Sequence, residues 1–335
     1  GVRQTPWSEG QNVRQLEPLG FIKFDILGLS TLRMIEGCIE RVLRKQGNPD
    51  PSFKEVKAFY DEFLHPDKID LNNQDIYENV FHEGKWAGIF QFTEKGAQDF
   101  AKRAQPTSII DIAAITSIYR PGPLSAGVDK QYVRAINDTL SIKYLHPLVE
   151  EVTKETYGFL IFQEQIALLA YKLGDDITMD EANLLRKVLT KKGTGKGHET
   201  KEAIKEKFLR GCLDKDISRE QASELWATFE YFSGYGFNKS HAVSYSIISY
   251  QCAWLYNYFP AEWMCSFLDR EPDTRKEKAI NIAKSHGFAI HPININTSGE
   301  NWESDGNQSL IAPLTTIKGL GDKAIEEIVA NRPFD

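Results

Sequence analysis

With 335 residues, of which 41% are hydrophobic and 26% charged, the chain is long enough for two or three domains and at least one sizeable core. The composition is ordinary for a globular protein, and no run of about 18 apolar residues exists that would span a membrane. A formal net charge of −7 argues weakly against nucleic-acid binding, because phosphate neutralisation usually leaves a basic footprint.

The opening residues lack the basic, apolar and small-residue regions of a signal peptide. There is no initiator Met, so a processed or excised piece of a longer protein is expected. Cysteines stand at Cys38, Cys212, Cys252 and Cys265 without Cys-x-x-Cys spacing. That pattern points to a reduced, cytoplasmic setting and away from a zinc ribbon or a disulfide framework.

In chain order, residues 20–27 read as a short buried strand built on Phe21, Phe24 and Ile26, punctuated by Gly28. Leu29, Leu32, Ile35 and Ile39 then recur at helical spacing as far as about Lys45. From Phe53 onward helical periodicity dominates, with breaks near residues 65–73, 119–123, 173–178, 191–197 and 213–218. Asp111 to Tyr119 is helix-like. Gly122 and Pro123 end it, so Arg120 is expected to be displayed at a rigid corner. Ala242 to Leu255 is a long apolar helix candidate stopped by Pro260. After about residue 287, β-like pieces lead into Ile317-Lys-Gly-Leu-Gly-Asp322 and a short helix.

Several clusters have chemical potential. Tyr235-Gly-Phe-Asn-Lys-Ser-His241 gathers aromatics, an amide, an amine, a hydroxyl and an imidazole ahead of a helix, a set suited to a ligand carrying both phosphate and base. Between Leu185 and Arg210 lie nine cations against three glutamates. The part from 201 to 210 fits a solvated Lys/Glu helix. Arg186, Lys187, Lys191, Lys192 and Lys196 have no acidic neighbours in sequence and suit a phosphate-facing loop equally well.

Lys23 and Asp25 would share one face of a strand. Such a pair could hold a triphosphate and a divalent metal together, but the tripeptide alone favours an ordinary ion pair. One carboxylate cannot run two-metal phosphoryl chemistry, and Asp214-Lys-Asp216 reads as a helix-capping turn instead of a partner. Residues 193–197 have the glycines of a Walker loop in the wrong order, and are better read as a mobile basic hairpin. Ile317 to Asp322 has the shape of a helix-hairpin-helix turn, in which Gly319 and Gly321 let backbone amides approach a DNA phosphate beside Lys318.

Taken in order, KFDILGL (23–29), GIFQF (88–92), YRPGP (119–123), ETYGFLIFQEQ (155–165), LRKVLTKK (185–192), YGFNKSHA (235–242), SYQCAWL (249–255), FPAEWM (259–264) and IKGLG (317–321) closely resemble the C-family replicative DNA polymerases, the bacterial DNA polymerase III alpha subunits. Phage-encoded members are similar, and either origin fits. The resemblance covers the chain from about residue 18. It implies a mainly α fold with minor β structure: the C-terminal edge of a polymerase-beta-like palm over 1–45, helical fingers over 46–287, and the start of the helix-hairpin-helix and clamp-binding region over 288–335.

The family reading also implies site roles. Asp25 would be the third carboxylate holding two Mg²⁺ ions, with the other two in a Pro-Asp-x-Asp-x-Asp motif that this chain does not contain. Lys23, Arg120, Arg186, Lys187, Lys191, Lys192, Tyr235, Asn238, Lys239, Ser240 and His241 would contact the nucleotide. Lys196, Lys318, Gly319 and Gly321 would contact DNA. Primer-template DNA, deoxynucleotides and a segment carrying the rest of the palm are the implied partners, with a sliding clamp as a further candidate. Three departures stand out: Phe90-Gln-Phe-Thr-Glu94 where the family has Phe-Gln-x-Glu-Ser, Thr190 for a usual Gly, and Tyr256 for a usual Lys. The reading from another class is a noncatalytic DNA-binding or scaffolding module.

Overall fold

The computed structural model describes residues 17–21, 28–189, 196–306 and 308–334. Helices dominate, and β structure among the described residues is confined to three short strands and one isolated bridge, as the mainly α reading requires. The expected strand at 20–27, with Lys23 and Asp25, lies outside the described residues apart from its edges.

Two hydrophobic cores organise the chain. The first is centred on the helix Lys239–Tyr258, which buries Ala242, Ser246, Tyr250, Cys252, Ala253 and Leu255. It packs on Ile109–Ile118, a helix apolar on nearly every side and correspondingly buried all round. Ser30–Lys45 joins this core through Met34, Ile35, Cys38, Ile39 and Val42. Leu32, expected on the same stripe, faces outward at 47% exposure, because the buried face runs through 34, 35, 38, 39 and 42 at spacings of three and four.

Three consecutive polar residues of the central helix pin the irregular 60–92 segment. Ser249 Oγ donates to the Phe90 carbonyl at 2.8 Å, Tyr250 Oη to Asp70 at 2.7 Å, and Gln251 Nε2 to Leu64 at 2.7 Å. That segment contains two π-helical turns, Tyr60–Leu64 and Tyr77–His82. The bonds supply its carbonyls with partners that irregular backbone cannot provide for itself.

The second core lies among Gln163–Leu173, Met179–Val188, Lys196–Leu213 and Arg219–Ser233, where Phe208, Trp226 and Phe229 meet at 5.2–5.9 Å between rings. Capping boxes start two of these helices, Thr178 with Glu181 and Ser218 with Gln221. The lysines at 201 and 207 are not merely solvated. Lys201 pairs with Glu230 at 3.0 Å and Lys207 with Glu181 at 2.8 Å, tying three helices together. The basic hairpin expected at 193–197 needs correction at its end, since Lys196 and Gly197 already belong to the Lys196–Leu213 helix. Asp214 and Asp216 sit in a turn after that helix, as expected.

At the C-terminal end, β1 (Ala289–His291), β2 (Glu303–Gly306) and β3 (Ser309–Ile311) form a sheet of order β1-β3-β2. The β1–β3 pair is parallel, with Ile290 opposite Leu310, and β2–β3 is antiparallel. Leu310 and Trp302 bury into the first core. Arg41 secures the sheet by binding Asp269 and the Trp302 carbonyl. Burial pushes the Asp269 carboxyl up and the Arg41 charge opposes that push. All four cysteines are free and buried.

One glycine is fixed by close approach. A Cβ on Gly211 would overlap the backbone of Leu173, Gly174 and Asp175, where the Lys196–Leu213 helix crosses the end of Gln163–Leu173. Gly211→Ala is therefore expected to destabilise the chain by about 2 kcal/mol or more. Gly306→Ala, with nothing within 4 Å of its added carbon, should be close to neutral. Urea denaturation of the two variants checks the contrast.

Candidate functional site

The site is built where the two cores meet. Residues 160–162 run extended between them, with Ile161 and Phe162 in the first core and Leu160 in the second. Gln165 shapes this bend: its Oε1 accepts from Ile161 N at 2.9 Å and Phe162 N at 3.0 Å, while its Nε2 donates to Thr156 Oγ1 at 2.7 Å. Phe162 pairs with Phe237 in a parallel bridge, so Gln163 N binds the Phe237 carbonyl at 2.9 Å and Phe237 N binds Ile161 at 3.0 Å. The 235–241 segment is thereby laid across the start of the Gln163–Leu173 helix.

Asn238 is the N-cap of Lys239–Tyr258, its Oδ1 accepting from His241 N at 2.8 Å and Ser240 Oγ at 2.6 Å. This cap explains why the helix begins three residues before the expected Ala242. Asn238 Nδ2 also donates to Glu164 Oε1 at 2.8 Å. The other oxygen of Glu164 accepts from Lys239 N at 2.9 Å, and Arg186 Nη1 approaches Oε1 at 3.3 Å. Lys239 Nζ donates to Glu155 and lies 5.9 Å from the Phe162 ring centre.

Arg120 and Tyr235 close the other side. Arg120 donates from Nε to the Ser117 carbonyl at 3.0 Å and from Nη2 to the Tyr235 carbonyl, and its guanidinium lies 4.8 Å from the Phe237 ring. Burial lowers its pKa from the ordinary value. The expected rigid corner is corrected in one respect: Pro121–Ser125 forms a short helix with Pro121 at its first position, where the missing N–H costs nothing. Gly122 matters because a Cβ there would overlap the Tyr235 ring. His241 packs at a tilt between Phe237, 5.4 Å away and inclined at 57°, and Tyr245, 4.3 Å away and inclined at 32°, and Tyr245 continues to Phe90 at 5.4 Å. The result is an aromatic ladder, with His241 exposed, beside three cations.

Of the residues expected at a nucleotide site, Arg120, Arg186, Tyr235, Asn238, Lys239, Ser240 and His241 are brought to this one place. Lys187 is exposed on the position after Arg186. Lys23, Asp25, Lys191 and Lys192 lie outside the described residues, and so does Thr190. Lys196 opens its helix, and its side chain is outside the description. Lys318, Gly319 and Gly321 belong to the C-terminal turn. There Gly319 takes φ +90° with open space around it, and Gly321 precedes the Asp322–Ala330 helix. Among the described residues, no hydrogen bond, ion pair or ring contact joins that turn to the 235–241 cluster. No group of three or more His, Cys, Asp or Glu among the described residues is placed to hold a metal ion. Among the described residues, no helix is long and apolar enough to cross a membrane.

The departures from the family pattern also find places. Glu94 stands at the N-cap of Lys95–Ala104, with no side-chain capping bond. Tyr256 is buried, and burial raises its phenol well above the usual range.

Sequence reading missed Glu155, Gln163 and Glu164. It also took Arg186 to be without an acidic partner, whereas Glu164 meets it from another helix. The available signal was a run of three polar residues, Gln163 to Gln165, immediately after the apolar Phe159–Phe162. Removing the cap tests the arrangement. Asn238→Ala should cost about 1–2 kcal/mol and speed amide exchange at Lys239 and His241 about tenfold, as read by hydrogen-exchange mass spectrometry.

Comparison with known proteins gives two family matches, the bacterial DNA polymerase III alpha subunit finger domain over residues 49–215 and a helix-hairpin-helix motif over 287–335. Arg120, Glu155, Glu164 and Arg186 fall within the first, and the 235–241 segment lies beyond it. The DNA polymerase III subunit alpha of Aquifex aeolicus is 33% identical over 319 residues, 95% of this chain and 26% of that protein. Its counterpart in Borreliella burgdorferi is 35% identical with the same coverage. That of Treponema pallidum is 33% identical over 326 residues, again 95% of this chain. The chain spans about a quarter of the length of these curated relatives.

Proposed function

Because the chain belongs to the family of bacterial DNA polymerase III alpha subunits, we propose that it supplies the nucleotide-gripping fingers for template-directed DNA synthesis. The observation that carries this reading is the convergence of Arg120, Arg186 and Lys239 with the Phe237–His241–Tyr245 ladder at the start of one helix. Cations preorganised around a ligand's phosphates stabilise negative charge without rearrangement. Aromatic faces give a base somewhere to stack. Together they suit a deoxynucleoside triphosphate.

In this reading, residues 1–45 close the palm, 46–287 are the fingers, and 288–335 begin the helix-hairpin-helix region, whose exposed Lys318 and open Gly319 amide face duplex phosphates. The described residues form no metal cage. The share of the reaction assigned to them is therefore binding and orienting the nucleotide, and Mg²⁺ is left to Asp25 together with carboxylates contributed from elsewhere. Holding the triphosphate in line with a primer end is itself a large part of phosphoryl-transfer catalysis.

Incubated with primed template, deoxynucleotides and Mg²⁺, the chain by itself should give no primer extension. Titration with a fluorescent dATP analogue should nonetheless register binding, weakened about tenfold or more in Lys239→Ala, the loss expected for one charge-assisted contact. Salt-dependent duplex binding with equal nucleotide affinity in wild type and Lys239→Ala would favour the noncatalytic DNA-binding module instead.

A further inference from the structure

The two carboxylates in this otherwise cationic site are held very differently. Glu164 is bonded through both oxygens to groups from two other elements, Asn238 Nδ2, Lys239 N and Arg186. It is a structural tie. Among the described residues, Glu155 forms one ion pair, to Lys239 Nζ, and that pair is about one-third exposed on each side.

Glu155 is nevertheless fixed in place by its backbone. It sits in the single turn Lys154–Thr156, which is followed by Tyr157 in the left-handed region at φ +55°. The Tyr157 hydroxyl donates to the buried Asp111 at 2.9 Å, and Thr156 Oγ1 donates to the Thr153 and Phe159 carbonyls at 3.1 and 2.7 Å. A carboxylate this well mounted stays beside Lys239 even when its ion pair is broken.

Resting on the nucleotide reading above, we propose that Glu155 is a resident counter-ion of Lys239 that phosphate must displace, so that it sets the affinity of the site for polyphosphate. A singly charged carboxylate occupies the ammonium in the free chain. An incoming polyphosphate brings several negative charges and an additional contact to Arg186, and takes Lys239 over. Glu155 then remains nearby as a like charge, opposing the bound anion. The same repulsion favours release of a smaller anion, such as the pyrophosphate that nucleotidyl transfer produces. The site would otherwise hold three cations with Glu164 alone to offset them, and would bind inorganic phosphates indiscriminately.

The experiment is calorimetric titration of the 335-residue chain at low salt with inorganic tripolyphosphate, comparing wild type, Glu155→Gln, Lys239→Ala and the double variant. Glu155→Gln should tighten binding about twofold to tenfold, the range for removing a partly exposed ion pair and its residual repulsion. The gain should shrink as salt rises toward 0.5 M and vanish in the Lys239→Ala background. Glu155→Ala carries the same expectation and guards against a rearranged amide. If neither Glu155 variant tightens binding while Lys239→Ala weakens it, the counter-ion role is overturned and the nucleotide reading stands. If Lys239→Ala leaves tripolyphosphate affinity unchanged, the nucleotide reading itself fails.

Discussion

Three donors from two other parts of the chain converge on the carboxylate of Glu164: the amide of Asn238 and the first N–H of the Lys239–Tyr258 helix that it caps, and the guanidinium of Arg186. An anion at this position is favoured twice over, by the unsatisfied amides of a helix start and by their dipole. The consequence is geometric. The central helix of the first core cannot shift relative to the Gln163–Leu173 and Met179–Val188 helices of the second without breaking charge-assisted bonds, which are the costlier kind to lose. Lys239, Ser240 and His241 therefore inherit fixed positions from a residue that need not touch ligand at all.

Glu164 acts within a wider frame of polar residues that serve backbone. Gln165 satisfies the bend at 161–162, Gln163 the carbonyl at Gly236, and Arg120 the carbonyls at Ser117 and Tyr235. Each of these joins segments that have no regular ladder between them, since the 162–237 bridge is isolated. Arg120 illustrates a change of emphasis. Expected as a ligand contact, it already spends one nitrogen on the Tyr235 carbonyl and another on the Ser117 carbonyl, and places its charge on the Phe237 face. In the proposed function, its contribution to a bound anion comes through field and positioning as much as through direct contact.

What could be read from the sequence followed from local rules. Helical periodicity located the long runs, Pro260 ended the central helix where expected, and the Asn238–His241 block was recognisable by residue type alone. The corrections have local causes too. Pro121 starts a helix because proline is harmless at the first position, and Leu32 leaves the apolar stripe because the stripe is narrower than the count of apolar residues. The illegible part was the pairing. Glu164 meets Lys239 across 75 residues and Glu155 meets it across 84, separations at which no periodicity operates. Judging Arg186 by its neighbours in sequence made it look unpaired, yet its partner lies 22 residues earlier on an adjacent helix.

That non-locality bears on how the site works. Each core is an apolar, close-packed body and resists deformation. On this face the two are joined by hydrogen bonds and ion pairs, whose strength depends on nearby charge and on salt. In the proposed function, an arriving polyanion competes for the groups that make the join, Lys239 and Arg186 above all, while leaving both cores intact. Binding energy is thus coupled to the seam between two rigid bodies, and a seam of this kind can alter its set of partners without unfolding either one. Apolar packing across the same boundary would have been blind to phosphate. On the proposed function, placing the cations where the cores meet makes the charge of the ligand the variable to which their junction responds.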